Sequence, residues 1–442
     1  MNTKLNYRRT FFIGLAFLSI SAFWQVYDNI IPLILQNSFG LGETVTGMVM
    51  AMDNVLALIL LPVFGTLSDK VDTKLGKRTP FIVAGTTLAV IFMTLLPIAD
   101  NTRNLTLFVV ALFLVLISMG LYRSPAVALM PDLTPNHLRS KANAVINLMG
   151  AVGGVYSLIM IKLLVGKGET PSYQPLFVSV AALMVIAVGI LVITIKENKI
   201  KQEMKPYMEA SDAAARAEEE KHNKSAETIS VNAEGKTVLP KEVKRSIVFM
   251  LASIFFWFTA YNAVTTAFSR YTKVVWKMEG GSFADCLMVA TVAAIISYIP
   301  IGQISSKFGR KKTIMGGVLL MAGCYAAAIF LGEYHPVINI AFALIGMAWA
   351  AINVNSYPMI VAMSKGSDVG KFTGTYYTFS MSAQILTPVL SGFLLENVSY
   401  RTLFPYALVF SLLAFLTMTQ VRHGDVKPEK KKSVLENFDV DD

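Results

Sequence analysis

Runs of about twenty or more mostly apolar residues alternate with short polar breaks along nearly the whole chain. They fall at about residues 10–37, 43–67, 80–99, 105–130, 139–165, 174–195, 246–271, 284–304, 313–332, 336–360, 370–395 and 402–420. A helix needs about 20 such residues to cross a hydrocarbon layer of ~30 Å, so the pattern predicts twelve transmembrane helices. One long polar stretch, near 196–241, separates the sixth run from the seventh. Its segment AAARAEEEKHNK mixes both charges without an apolar face strong enough for a core, and reads as a solvated linker that is helical in part. The expected organisation is an all-α membrane protein in two six-helix halves. These span 1–195 and 244–421, with a linker at 196–243 and a polar tail at 422–442.

Composition sharpens this picture. Hydrophobic residues make up 54% of the 442 and charged residues only 15%, well below the ~25% of a soluble domain. The net charge of +10 does not point to nucleic acid, because the basic residues sit between apolar runs. They alternate from loop to loop. Lys4, Arg8 and Arg9 precede the first run; Lys70, Lys74, Lys77 and Arg78 follow the second, Arg139 and Lys141 the fourth, and Lys307, Arg310, Lys311 and Lys312 the eighth. The intervening loops at 36–44 and 332–336 carry none. Such a bias predicts that both termini and the linker are cytoplasmic. The first apolar run continues to Leu35 with no small-residue cleavage site, so it reads as an uncleaved span. Cys286 and Cys324 lie in apolar surroundings and form neither a disulfide framework nor a metal spacing. No cofactor motif is present.

A repeat relates the two halves. After the second run the chain reads Gly65-Thr-Leu-Ser-Asp69-Lys70, then Gly76-Lys77-Arg78; after the eighth it reads Gly302-Gln-Ile-Ser-Ser306-Lys307, then Gly309-Arg310-Lys311-Lys312. The glycines suit close helix approach and the charges suit pairing between helix ends, as expected of a gating loop. With this motif at equivalent places in both halves, the chain resembles the major facilitator superfamily. The resemblance implies two pseudo-symmetric halves around a central cavity, with substrate held near the midplane and alternating access. It also implies that spans one, four, seven and ten line that cavity.

A narrower resemblance rests on GTLSDKVDTKLGKRTPFI and on SPAVALMPDLTPNHLRSKANAVINLMGAVGG. These are similar to the glycoside–pentoside–hexuronide cation symporters and the sucrose-type proton symporters. That similarity implies uptake of a glycoside, such as sucrose, maltose or another α-glucoside, with a proton, or with sodium as the alternative cation. There are two departures. Where sodium-using members carry paired acids on span two, this chain has Ala57 and Leu61; where plant sucrose carriers place an acid on span four, LFVVALFLVLISMGLYRSPAVAL has none.

Coupling must therefore rest on other residues. Charges at membrane depth are costly and by default functional, and the chain has Asp28 on span one, Asp53 on span two and Arg123 on span four. At ~1.5 Å per residue, Asp28 and Asp53 lie roughly 13 and 15 Å from their outer helix ends, and Arg123 roughly 27 Å. Asp28 and Asp53 are the candidate proton-coupling acids and Arg123 the partner of whichever is ionised. For a sugar, the candidates are hydroxyl-bonding and aromatic groups one turn apart: Trp24, Gln25, Tyr27 and Asp28; Asn54; Trp257, Tyr261 and Asn262; Asn353, Asn355 and Tyr357; and Tyr377 and Gln384, near Tyr376. Asn143 and Asn147 share a face of span five, where helix packing is the favoured reading.

The expected partners are a small sugar, a proton or sodium, and the bilayer, with no nucleic acid, and the chain is expected to act as a monomer. A proton-coupled efflux antiporter for drugs or other amphipathic compounds is the alternative within transport, with a mostly apolar cavity. A receptor or scaffold would have little reason to keep buried charge. An enzyme is disfavoured, since His137, His222, His335 and His423 all fall in predicted loops or the tail and no catalytic motif accompanies them.

Overall fold

The computed structural model describes residues 4–168, 171–225, 240–363 and 369–425; most of the polar tail and part of the linker lie outside them. The chain is all-α. Its helices are α1 (Tyr7–Asn37), α2 (Glu43–Lys70), α3 (Thr79–Asn101), α4 (Leu105–Asp132), α5 (Asn136–Leu164), α6 (Gln174–Thr194), α7 (Glu197–Ser225), α8 (Lys241–Val274), α9 (Ala284–Phe308), α10 (Arg310–Ile329), α11 (Ile338–Ala362), α12 (Val369–Asn397) and α13 (Leu403–Thr419). All except α7 belong to the twelve spans long and apolar enough to cross a membrane, the twelfth starting at Tyr400. Local signals set their ends. Asn6 and Asn104 accept the backbone N–H of Arg9 and Leu107 at 3.0 Å, and prolines occupy the first turns of α3 and α6.

The pairing pattern repeats. α1 packs on α5 and α6, α3 on α4 and α6, and α2 on α4; the equivalent pairs α8 with α12 and α13, α10 with α11 and α13, and α9 with α11 recur in the second half. Across the halves, α2 meets α12, α5 meets α9 and α1 meets α8, as a two-fold relation requires. Many large side chains on the outer faces, such as Ile186, Ile193 and Phe330, are exposed, which suits a surface solvated by lipid tails.

The repeated loop motif ties helix ends together at the end of the bundle that carries Tyr7, here the motif end. Gly76 and Gly309 both take positive φ (115° and 94°), a conformation that favours glycine, and each turns the chain into the next helix. Arg78 bonds Asp132 at 2.7 Å and Asp69 at 2.5 Å, clamping α2 and α4 to the start of α3. Burial works against its charge, but the bonds and charges of Asp132 and Asp69 outweigh that and raise its pKa. In the second copy Ser306 replaces the acid, and Asp425 accepts from the Lys311 N–H at 3.0 Å. Lys311 Nζ also reaches the Val421 carbonyl at 2.6 Å.

The first part of the linker is more ordered than its composition suggests. Glu197 is buried (3% exposed) and accepts from the backbone N–H groups of Lys77, Arg78 and Thr79 and from the Thr79 hydroxyl, at 2.7–3.1 Å. Farther along α7, the Ser211 hydroxyl bonds the His137 ring at 3.1 Å. A polar segment lies against the bundle because a carboxylate fills the exposed N–H groups at the start of α3. Replacing Glu197 by Ala is expected to cost about 1–3 kcal/mol, read as a lower thermal midpoint in detergent, and Glu197→Gln less, because it keeps an acceptor.

Candidate functional site

Between the halves lies a cavity of about 780 Å³. It runs from mid-depth at Asp28 to Arg139 and Ser140 at the motif end, where Ser140 is exposed. α1 contributes Trp24, Gln25 and Asp28, α4 contributes Arg123, and α5 contributes Asn143 and Asn147. From the other half come Tyr261 of α8, Thr291 and Tyr298 of α9, Trp349 and Asn353 of α11, and Tyr377 of α12. Phe17, Ile20, Val127, Met130 and Ile146 supply apolar wall. Tyr261 and Trp349 stack face to face, with centroids 3.7 Å apart and planes within 4°. Phe258 meets Trp349 edge-on and fixes the pair.

The three deep charges come together. Asp53 is within Coulombic range of both Asp28 and Arg123. Asp28 faces the main cavity, whereas Asp53 lines a void of about 20 Å³ behind Trp24 and Arg123, among Leu56, Ala57, Leu60, Leu61, Leu116 and Met119. Trp24 and Arg123 line both spaces and so separate them. One oxygen of Asp53 is held by the backbone and side-chain N–H of Asn54, at 2.6 and 2.7 Å.

Other candidates from the sequence lie elsewhere. Tyr27 is 1% exposed and donates to the Met50 carbonyl at 3.3 Å, so it braces α1 against α2. Trp257 is wholly buried in the second half and does not line the cavity. Asn355 bonds Ser305, the Tyr357 hydroxyl pairs with Thr373 at 3.0 Å, Tyr376 pairs with Ser356 at 3.1 Å, and the Gln384 side chain turns to the Ser380 carbonyl at 3.4 Å. The first three are contacts between packed helices, and the last is within α12. Conversely, Asn143 and Asn147, read as packing residues, stand in the cavity wall. Trp349 was missed, although it lies one turn before Asn353 on the same helix face, the spacing used to find the others.

A second chamber of about 210 Å³ continues from mid-depth toward the far end. Gln25, Asp28, Tyr261, Ala290 and Thr291 line both spaces and form the neck between them. Asn262 lines the chamber rather than the main cavity.

Beyond the chamber the far end is closed by contacts between the halves. Arg270 of α8 donates to Glu43 of α2 at 2.8 Å, both are almost wholly buried (4% and 3% exposed), and Tyr400 donates to the other Glu43 oxygen. Glu396 accepts the Thr44 N–H at 2.8 Å, and Lys162 pairs with Asp285 at 2.7 Å. The backbones are close enough that a Cβ on Gly47 would overlap the Pro388 carbonyl oxygen. The cavity thus reaches one end of the bundle and is sealed at the other.

The family model of the Major Facilitator Superfamily matches residues 13–356 and again 281–438, and the chain belongs to that superfamily, a family of transporters rather than enzymes. Similarity to individual members is distant. Chloramphenicol resistance protein CraA of Acinetobacter baumannii is 26% identical over 181 residues, 39% of this chain and 42% of that one. Sucrose transport protein SUC3 of Arabidopsis thaliana is 23% identical over 151 residues, 30% and 25% of the two chains. The chain therefore spans less than half the length of these relatives. A bacterial homologue of the iron transporter ferroportin, solved in an inward-facing state, superposes with TM-score 0.67 at 12% identity over 95% of this chain and 99% of that one, which shows the shared fold.

Removing one partner of a buried ion pair costs about 3–5 kcal/mol, so Glu43→Gln is expected to favour opening of the far end. In a Cys286→Ser, Cys324→Ser background, labelling of Thr265→Cys by an impermeant maleimide applied from the far side should rise about tenfold or more when Glu43→Gln is added. An unchanged rate would show that Glu43 does not hold this end shut.

Proposed function

We propose that this chain is a proton-coupled sugar carrier that takes up a glycoside, such as sucrose, maltose or another α-glucoside, by alternating access. The observation that carries the reading is the stacked Tyr261–Trp349 pair in a cavity that also presents Asp28, Gln25, Asn143, Asn147 and Asn353. A sugar ring has an apolar C–H face and a rim of hydroxyls. It needs an aromatic surface for the one and convergent planar hydrogen-bonding groups for the other. The volume of about 780 Å³ is ample for two rings.

The deep charges support coupling to a proton. Asp28, Asp53 and Arg123 together carry an excess negative charge unless one carboxyl is protonated, and an unbalanced charge at this depth is costly. One proton makes the group neutral, as suits a neutral sugar. The void beside Asp53 is small, and among the described residues its other walls are mainly aliphatic, which suits a proton better than a sodium ion that needs several oxygen ligands. Placing the basic motif end in the cytoplasm makes the sealed end extracellular. The motif residues Gly65, Asp69, Lys70, Gly76, Lys77, Arg78, Gly302, Gly309, Arg310 and Lys311 then hold the cytoplasmic helix ends as the halves rock. The working unit is a monomer, because the cavity is built within one chain.

Efflux of drug-like compounds is the second reading, favoured by the likeness to CraA and by the apolar share of the wall. Proteoliposomes separate the two. Inward proton gradients should drive accumulation of radiolabelled sucrose or maltose, a sodium gradient should not, and Asp28→Asn or Asp53→Asn should lower accumulation by about tenfold or more. Trp349→Ala should raise KM more than it lowers the maximal rate. Absence of uptake of any glycoside under either gradient would overturn the sugar assignment, and full uphill accumulation in both Asn variants would overturn the coupling acids.

A further inference from the structure

Resting on that reading, we propose that the Trp24 indole is a valve that keeps protons from Asp53 until sugar enters the main cavity. Among the described residues, Trp24 and Arg123 are the two that line both the main cavity and the void of about 20 Å³ at Asp53. Asp28 lines the first space and Asp53 the second. Water in the cavity therefore meets Asp28 directly and Asp53 only past this pair.

The two members of the pair differ in kind. Arg123 carries charge and several donors on a flexible stem, so water passes beside it. Trp24 is a rigid, mostly apolar plate, and its neighbours hold it in place. Phe23 meets its ring edge-on at 5.1 Å and Tyr27 at 5.3 Å, and both of those rings are buried. Tyr27 is itself tied to the carbonyl of Met50, one turn before Asp53 on α2. Behind the plate the void has room for about one water. Leu56, Leu60, Leu61 and Leu116 in its wall offer no group that relays a proton.

The same indole faces the substrate. Trp24 and Asp28 stand one turn apart on α1, with Gln25 beside them, and all three line the main cavity. A sugar held by Asp28 and Gln25 brings its C–H face to the indole, and such a face packs best against a flat ring. Turning the ring toward the sugar withdraws it from the void. Occupancy of the cavity and access to Asp53 are then one event. The chemistry is a proton transfer alone. Cavity water delivers a proton to an Asp53 oxygen, an O–H bond forms, and the same bond breaks once the carrier faces the other side. Asn54 holds one Asp53 oxygen through two N–H groups at 2.6 and 2.7 Å, so the acceptor waits in a fixed position.

A route that stood open would defeat the carrier. Asp28, Tyr27 and Arg123 are the titratable groups that face Asp53, and one proton neutralises the Asp28–Asp53–Arg123 group. If that proton came from the empty cavity, the carrier would reorient with it and no sugar, and the gradient would be dissipated.

The test reads proton entry into proteoliposomes with a trapped pH dye, under an inward proton gradient, with potassium and valinomycin to balance charge. Without sugar the wild type should admit protons slowly, and sucrose should raise the rate. Trp24→Ala should admit them about tenfold or more faster without sugar, as a site no longer closed to water does, and sucrose should add little. Adding Asp53→Asn to Trp24→Ala should return sugar-free entry to the wild-type rate, which it would not do for a merely damaged protein. Trp24→Tyr, which keeps a large ring, should stay close to the wild type. Where Trp24→Ala folds poorly, Trp24→Leu, which keeps apolar bulk without a plate, reads the same fluxes. Sugar-free entry at the wild-type rate in the Ala and Leu variants, or a leak that persists with Asp53→Asn, would overturn the valve while leaving sugar–proton coupling standing. A wild type in which no glycoside raises proton entry would remove the coupling reading and the valve together.

Discussion

Three charges at membrane depth set the terms for the rest of the structure. Asp28, Asp53 and Arg123 come from α1, α2 and α4, and Asp53 lies within reach of the other two. A bilayer core does not tolerate such groups on its lipid face, so these helices must turn these sides inward. The inward sides leave a space that no apolar side chain fills. Asp28 looks into the main cavity, Asp53 is held back in a narrow void, and Trp24 and Arg123 stand between them. The two carboxyls thus have different access: one can meet water and substrate, and the other meets mainly its neighbours.

The second half supplies what the first lacks. Its aromatic stack and Asn353 face the charged side across the cavity, so a substrate that touches both surfaces couples their motion. Closure at the far end is maintained by a different kind of contact. Glu43, Arg270 and Tyr400 are buried between the halves, where a paired charge is stable and a lone one is not. Such a contact has two acceptable states, fully paired or fully hydrated, and few between. That property suits a two-state carrier better than a continuous apolar seam would. At the motif end the charges serve another purpose, since Arg78 and Glu197 hold helix ends within the first half.

The fold was largely legible in the sequence because its two signals are long-range and redundant. Twelve apolar runs and a motif repeated at equivalent positions leave little freedom in topology. Charges such as Asp28 were visible because they interrupt an apolar run. Trp349 and Trp257 illustrate what was not visible. Spacing gives the face of a helix but not which neighbour covers it; Trp257 and Tyr261 share a face by spacing, yet one is enclosed and the other lines the cavity. Glu43 and Glu197 were unreadable for a related reason. Both sit at helix ends, where an acid is ordinarily solvated, and only the tertiary structure brings Arg270 to the first and the α3 terminus to the second.

The central claim is that a proton held by the Asp28–Asp53–Arg123 group moves with the sugar. The most direct measurement is the external pH of weakly buffered proteoliposomes on addition of sucrose, with no imposed gradient. The account predicts alkalinisation that follows sucrose addition, disappears with a protonophore, and is absent in Asp28→Asn although sucrose still binds. Sucrose entry without any proton movement in the wild type would contradict it.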